Sequence, residues 1–591
     1  MKLSSQYFRS ASRRDFLRAS AAASAGLAAA ALPVGAEERS GLPNVLFILA
    51  DDLGWGDLAC YGHPHILTPN LDALARQGTQ FLQFYANSPV CSPSRAAILT
   101  GQFPARNRIH TQFSGAEAAG NPAMGMPDYL DPAAPTVSRL LQQAGYSTGF
   151  VGKWHLSGSP EAPPITDYGF DCAVPLSDYD ASEPFFEARV PGRLVDDAMA
   201  FLDQHQEGPF FLCVWPPSPH ALIDPTDEQL FPYRYLEPGR VPYRGAMQLY
   251  YAAVTELDRQ VGRLLEHLEN LGLAESTLVL FVSDNGPEDV TVAAASHSAA
   301  GSTGPFRGRK RSLYEGGIRV PFIARWPRFV PAGRVDATSV LSGVDLLPTL
   351  CRLAKVVLPE DQSVDGEVIV GNLYGRERPR EKGLYWDYRF ENQGQVADRS
   401  PRLALREEGW KLLMNPDRSR VELYDIPNDP GELTNLADCH PDIADEMFLK
   451  LFDWSASLCM NLGRLWVRSI FLALQQSKVF VPLNACCFQV ITNYEYRHFV
   501  VGRDYNRPGK PGFCISAVAA LLSLKDPALG EKNMLQIAPV NRCQPRHSLC
   551  ARRQSVPLHT YPSRGNPFPP FAGITRFLKD LLNCSHICCR G

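Results

Sequence analysis

Long apolar runs are missing from this 591-residue chain. No stretch beyond the N-terminal region reaches the roughly eighteen apolar residues that a membrane-spanning helix needs, so no membrane span is expected. Excess charge is missing too. Lys and Arg number 58 and Asp and Glu 62, a formal charge of -4, so no chain-wide basic field draws nucleic acid. Metal-knuckle cysteine spacing is absent as well. Of the 15 cysteines, Cys60, Cys91, Cys172, Cys213, Cys351 and Cys439 are scattered without CxxC pairs. That excludes a zinc knuckle or a dense disulfide framework over most of the chain. The others crowd between Cys459 and Cys589. No internal repeats are evident. The composition is otherwise that of a globular protein, 45% hydrophobic and 20% charged, and the length predicts two or more domains.

The N-terminus carries SRRDFLRAS and then an alanine-rich, weakly apolar run ending at Val34-Gly35-Ala36. Charged start, short apolar middle and small-residue end describe an export signal over residues 1–36, with a mature chain from about Glu37. Arg13-Arg14 before Phe16 and Leu17 resembles the twin-arginine signal, which predicts the twin-arginine export machinery as a partner and a periplasmic or secreted product.

From residue 43 the pattern alternates. NVLFILA (44–50) reads as a strand buried on both faces. TPNLDALARQG reads as a helix capped by Thr68, with Pro69 in its first turn and Gly78 as its stop. Thr136 starts another helix, Gly145 ends it, and STGFVG leads to Lys153 and His155. PFFLCVW is a strand running into Pro-rich sequence and His220. Residues 246–271 form a long amphipathic helix, and STLVLFVS is a strand ending at Asp284-Asn285. Alternation of this kind predicts an α/β sandwich with a large, mostly parallel or mixed sheet and helices on both faces over residues 43–355. Short alternating strands in LYWDYR, PRLALREEGWKLLMN and RVELYDI, then one helix, predict a small antiparallel subdomain over 356–458. Residues 459–591 hold Cys486-Cys487, Cys588-Cys589 and many Pro and Arg residues without a period, and stay unassigned.

Chemistry-bearing residues collect after the strands. Asp51, Asp52, Asp284 and Asn285 are hard oxygen donors suited to Ca²⁺ or Mg²⁺. As a structural alternative, the first pair caps a helix and the second makes a turn. Both pairs follow strong apolar strands, where α/β sheets gather their ligands, and that favours the metal. Arg95, Lys153, His155, His220 and Lys310 add positive donors, which beside a metal suit a tetrahedral anion. Lys310 lies in FRGRKRS, which also reads as a solvated basic loop. Residue types alone lead to metal-assisted hydrolysis of a phosphate or sulfate ester.

The blocks ADDLGWGD, CSPSRAAILTG, GKWHL and SDNG, in this order, resemble the type I sulfatase family of the alkaline-phosphatase-like superfamily. The likeness continues through RGRKRSLYEGGIRVPFIARWP and LYDIPNDPGELTNLA and covers about residues 43–455. Its flavour is that of the arylsulfatase and N-acetylgalactosamine-6-sulfatase-like group. In that family the motif C-x-P-x-R directs oxidation of its cysteine to Cα-formylglycine by a dedicated maturing enzyme. Cys91, Pro93 and Arg95 match it. The resemblance implies that residue 91 works as an aldehyde hydrate, one hydroxyl attacking sulfur and the other later expelling sulfate. It implies Ca²⁺ held by Asp51, Asp52, Asp284, Asn285 and residue 91. Arg95 and Lys153 would steady the hydroxyls, His155 would take a proton, His220 would protonate the leaving alcohol and Lys310 would grip sulfate. The substrate would be a sulfated carbohydrate. Two departures bear on the leaving group: Pro217 stands where relatives often carry a histidine, and Gln102 replaces the usual arginine after T-G. Rival readings are a phosphatase or phosphonate hydrolase on the same fold, and an inactive sulfated-glycan binder.

Overall fold

The computed structural model describes residues 42–113, 125–182, 186–236, 245–291, 297–359, 362–389 and 395–458. The export signal and the 459–591 segment lie outside the described residues. The strands are β1 (Asn44–Ala50), β2 (Thr79–Tyr85), β3 (Ser147–Gly152), β4 (Cys172–Pro175), β5 (Phe210–Trp215), β6 (Thr277–Ser283), β7 (Arg319–Arg325), β8 (Arg334–Asp336), β9 (Leu341–Ser342), β10 (Leu384–Asp387), β11 (Leu403–Glu407), β12 (Trp410–Met414) and β13 (Glu422–Asp425). The first nine form one sheet in the order β4-β3-β5-β1-β6-β7-β2-β8, with β9 also on β2. Pairing is parallel from β4 through β6. β7 runs against both its neighbours, and β8 and β9 lie parallel to β2. The sheet is therefore mixed and mostly parallel.

Burial on both faces explains the apolar runs. In β1, Val45, Phe47 and Leu49 enter one core while Leu46, Ile48 and Ala50 enter the other. β6 splits the same way, with Leu278, Leu280 and Val282 against Val279 and Phe281. A strand with no solvated face has no polar positions to alternate with. Helices Cys91–Thr100, Val137–Gln143 and Leu346–Leu353 cover the first face, and Pro69–Gln77, Phe186–Gln204 and Ala246–Asn270 the second. Each large side chain buried this way contributes about 1.5–3 kcal/mol.

Two local expectations take a different physical form. Thr68 precedes the Pro69–Gln77 helix but makes no side-chain cap bond. Its hydroxyl accepts from Ala59 N–H at 2.9 Å and donates to Asp72 at 3.0 Å instead. Gly78 ends that helix in extended backbone. A Cβ there would stand 2.1 Å from the Ala324 carbonyl oxygen, so close approach of β7 demands the glycine.

Strands β10 to β13 make a four-stranded antiparallel sheet. One face packs on the Pro441–Leu458 helix through Leu405, Leu412, Met447 and Leu451. The other packs on the large unit, Trp386, Tyr388 and Leu413 meeting Tyr85, Val90 and Ala97. Beneath that contact Lys411 Nζ lies 2.9 Å from both Glu315 Oε1 and Glu432 Oε1, all buried. Among the described residues no helix is long and apolar enough to cross a membrane. None of the six cysteines among them is paired in a disulfide.

Candidate active site

β1 and β6 run in register, Ala50 opposite Ser283, so the next residues, Asp51 and Asp284, stand level at the sheet's edge. Asp284 N–H donates to the Ala50 carbonyl at 3.2 Å. Asp52 has φ 61°, which turns it off the strand line, and its N–H donates to Asp284 Oδ1 at 3.2 Å. Asn285 Nδ2 donates to Asp52 Oδ1 at 2.7 Å. Asp51 Oδ1 and Asn285 Oδ1 are buried and accept nothing.

The parallel neighbours deliver cations to the same edge. Gly152 closes β3 at φ 119°, and a Cβ on it would stand 2.1 Å from the Trp215 carbonyl oxygen. Lys153 follows, its N–H donating to that oxygen at 2.9 Å and its ammonium to Asp51 Oδ2. β5 runs into His220, whose Nε2 is 3.6 Å from Asp52 Oδ2. β2 leads to Cys91, first residue of its helix and 2% exposed. Arg95 is one turn on, hence on the same helix face. It is fully buried; Nε and Nη2 donate to Asp284 Oδ2 at 2.9 and 2.7 Å, and Nη1 to the Lys153 carbonyl at 2.5 Å. Lys310 comes from the connection between β6 and β7, its Nζ 2.6 Å from Asp52 Oδ2. The metal-ligand candidates Asp51, Asp52, Cys91, Asp284 and Asn285 thus meet Arg95, Lys153, His220 and Lys310 on one edge of the sheet.

Two histidines have readable tautomers. His155 Nε2 lies 2.7 Å from the Phe113 carbonyl, which can only accept. The proton is therefore on Nε2, and the buried, unpaired Nδ1 carries a lone pair. His220 Nδ1 likewise donates to the Ala221 carbonyl at 2.5 Å, leaving Nε2 toward the carboxylates. Burial and the Lys153 charge hold His155 down at about 3, and burial with Lys153 and Lys310 holds His220 at about 4.

The carboxylates are pushed apart. Burial raises Asp51, but Lys153 and Arg95 outweigh it and hold the group far below the usual range. Asp52 is also lowered; Lys310 and His220 overcome burial. Asp284 goes the other way, raised by burial and by the Asp51 charge against the pull of Arg95. Crowded carboxylates of this kind are relieved by a cation. Ligand atoms of Asp51, Cys91 and Asp284 all lie within 4.8 Å of one another, as do those of Asp51, Asp52 and His220. Hard oxygens, two of them unpaired and buried, fit a hard divalent ion. The second grouping sets His220 among the possible ligands themselves, whereas the sequence offered it only as a donor to the substrate.

FRGRKRS is not a solvated patch. Arg309 donates to the Glu288, Ala299 and Gly301 carbonyls, Arg307 to those of Ala397 and Glu432, and Arg311 pairs with Glu288. Sequence reading missed Glu288, 3.4 Å from Lys310, and Trp215, whose ring lies 5.3 Å from the Arg95 guanidinium carbon. Their signals were present: an acid shortly after SDNG, and an aromatic as the last residue of a buried strand.

Residues 43–356 match the model of the family described as Sulfatase. The chain belongs to the sulfatase family. Residues 304–454 also match the model described as N-sulphoglucosamine sulphohydrolase, C-terminal. Similar proteins include the N-acetylgalactosamine-6-sulfatase of Homo sapiens, 34% identical over 68% of this chain and 82% of that protein. The N-acetylgalactosamine-6-O-sulfatase of Bacteroides thetaiotaomicron is 29% identical over 69% and 92%. Among solved structures, Ps i-CgsB in complex with k-i-k-neocarrahexaose superposes with a TM-score of 0.59 at 26% identity, over 70% of this chain and 92% of that one. This sulfatase is a sulfuric ester hydrolase acting on sulfate monoesters.

Proposed function

We propose that this sulfatase is exported, matures by oxidation of Cys91 to formylglycine by a maturing enzyme, binds Ca²⁺, and removes sulfate from a sulfated carbohydrate. One observation supports the site reading above others: Asp51 Oδ1 and Asn285 Oδ1 are buried and unpaired within a carboxylate cluster that also encloses Cys91. Asp51, Asp52, Asp284 and Asn285 would hold the ion, with residue 91 completing the shell. When bound, the ion supplies charge neutralisation and lowers the pKa of a coordinated hydroxyl. The hydrated aldehyde of formylglycine supplies a nucleophilic hydroxyl and a second hydroxyl through which sulfate can leave.

The chain's own groups do the rest. Arg95 locks Asp284 and the Lys153 carbonyl in place. Lys153 and Lys310 carry positive charge to where the sulfuryl oxygens would lie. His155, with its free Nδ1 lone pair, accepts a proton. His220 is neutral in the free protein; an arriving anion beside it raises its hold on a proton, which it passes to the departing alcohol oxygen. The net reaction is R–O–SO₃⁻ plus water to R–OH, sulfate and a proton. A carbohydrate substrate is supported by the names of the similar proteins, and export by the Arg13-Arg14 segment.

The test combines mass and turnover. Peptides spanning residue 91 should be lighter by about 18 Da than the cysteine form, the elemental change of thiol to aldehyde. Purified protein should release sulfate from a panel of sulfated sugars, and Cys91→Ala or EDTA should abolish release. An active, matured protein that keeps its sulfur at 91 refutes the proposal.

A further inference from the structure

One buried group beside Cys91 has no part in the chemistry described so far. Tyr388 directly follows β10 and is 2% exposed. The small sheet is fixed here against the segment that leads to Cys91. Trp386 Nε1 donates to the Ala86 carbonyl at 2.9 Å. The Tyr388 ring packs in the same cluster as Val90, the residue before Cys91. Asp387 and Tyr388 line a small cavity with Ser88 and Pro89. Arg311 N–H donates to the Pro89 carbonyl at 2.8 Å. The Tyr388 hydroxyl consequently feels the charges of Arg311 and Lys310 and the Cys91 side chain, with Thr111 beside it.

Despite this crowd of polar groups, Tyr388 Oη is buried, and the Thr111 hydroxyl is its hydrogen-bonding neighbour, out of good alignment. The Thr111 hydroxyl gives its own proton to Gln112 Oε1 at 2.7 Å. A buried hydroxyl without a partner destabilises a fold, and most are satisfied. Two cations and the reactive residue define what could satisfy this one: an acceptor carrying negative charge. Burial raises the phenol above its ordinary value, so the group keeps its proton and acts as a donor.

We propose that Tyr388 is a substrate-contacting residue, its O–H donating to an anionic oxygen of the sulfuryl group beside Lys310. The small C-terminal sheet then supplies part of the sulfate site as well as support. This rests on the sulfatase reading of the site, and the experiment separates the two. Tyr388→Phe removes only the hydroxyl. Its kcat/KM on an aryl sulfate should fall about ten-fold or more, the effect of one hydrogen bond to a charged group. Competitive inhibition by inorganic sulfate should weaken by a similar factor. The rise in melting temperature caused by sulfate should shrink, a readout that needs no turnover. The ligand-free melting temperature should stay level or rise, because an unpaired buried group is gone. A merely structural hydroxyl would instead lower it. Unchanged kcat/KM and unchanged sulfate binding in Tyr388→Phe overturn the assignment, as does a lost melting temperature with intact sulfate binding. A wild-type protein that turns over no sulfate ester would count against the parent reading, while the sulfate-induced shift still decides the role of Tyr388.

Discussion

Replacing Arg95 by methionine tests how the site holds its charges together. Arg95 is fully buried against two carboxylates, at 2.7 Å from Asp284 and 3.4 Å from Asp51. Methionine fills similar space but leaves Asp284 without its only described cationic partner within salt-bridge distance. Removing one member of a buried ion pair costs about 3–5 kcal/mol, because the remaining charge stays desolvated. For a chain of this size that corresponds to a melting temperature lower by about 2–4 °C. Arg95→Lys keeps the charge but cannot reach Asp284 and the Lys153 carbonyl together, so a loss of about 1.5–3 kcal/mol is expected. The double variant Arg95→Met, Asp284→Asn removes the stranded charge and should recover about half the single variant's loss. Thermal and urea unfolding should be followed in a Cys91→Ala background, so that residue 91 is chemically identical in every variant. If the double variant is no more stable than Arg95→Met, the loss comes from packing and the electrostatic reasoning fails.

Acid should destabilise the protein through its buried neutral histidines. His110, His155 and His220 are held at about 3 to 4, below the unfolded value of roughly 6.5. Their contribution is complete above that unfolded value and is lost as pH falls toward the folded ones, by up to about 1.4 kcal/mol per pH unit per group. His110→Gln should flatten the stability profile between about pH 4 and 6.5; urea midpoints across that range that keep the wild-type slope would contradict this. Lys411→Met strands Glu432 in the core, while Glu315 keeps Arg319 at 3.2 Å, and should cost about 3–5 kcal/mol, measured by chemical unfolding, whereas adding Glu432→Gln should restore part of it. Ca²⁺ at about a hundredfold its Kd should stabilise the protein by about 2.7 kcal/mol, EDTA should reverse this, and Asn285→Ala should demand more ion for the same shift. A melting curve indifferent to both reagents would show that no such ion binds.

Much of this was legible in the chain because the sheet is buried on both faces. Strands such as 44–50 and 277–283 are continuous apolar runs, and their ends are marked by the polar residues that follow. A strand-end position fixes the level of a side chain on the sheet, so Asp51 and Asp284 were recognisable as a pair once their strands were taken as neighbours. β2 was harder. TQFLQFY mixes polar and apolar residues because Gln83 reaches the Ala337 carbonyl at 2.6 Å, and no period announces it. The first turns of the Phe186–Gln204 helix carry no sequence signal either, because Pro191 lies within them. Tyr388 was out of reach for a different reason: it belongs to the small sheet, and only tertiary packing brings that sheet beside Cys91.

The reversed direction of β7 has a further consequence. A parallel crossover must carry the chain back to the far edge of the sheet, but the connection from β6 to β7 begins and ends on the catalytic edge. Glu288, Lys310 and Arg311 all ride on it. Evolution can lengthen, shorten or recolour such an arch without re-threading a strand, and a protein engineer can graft it. Substrate range in this architecture is open to change by loop exchange between fixed anchors.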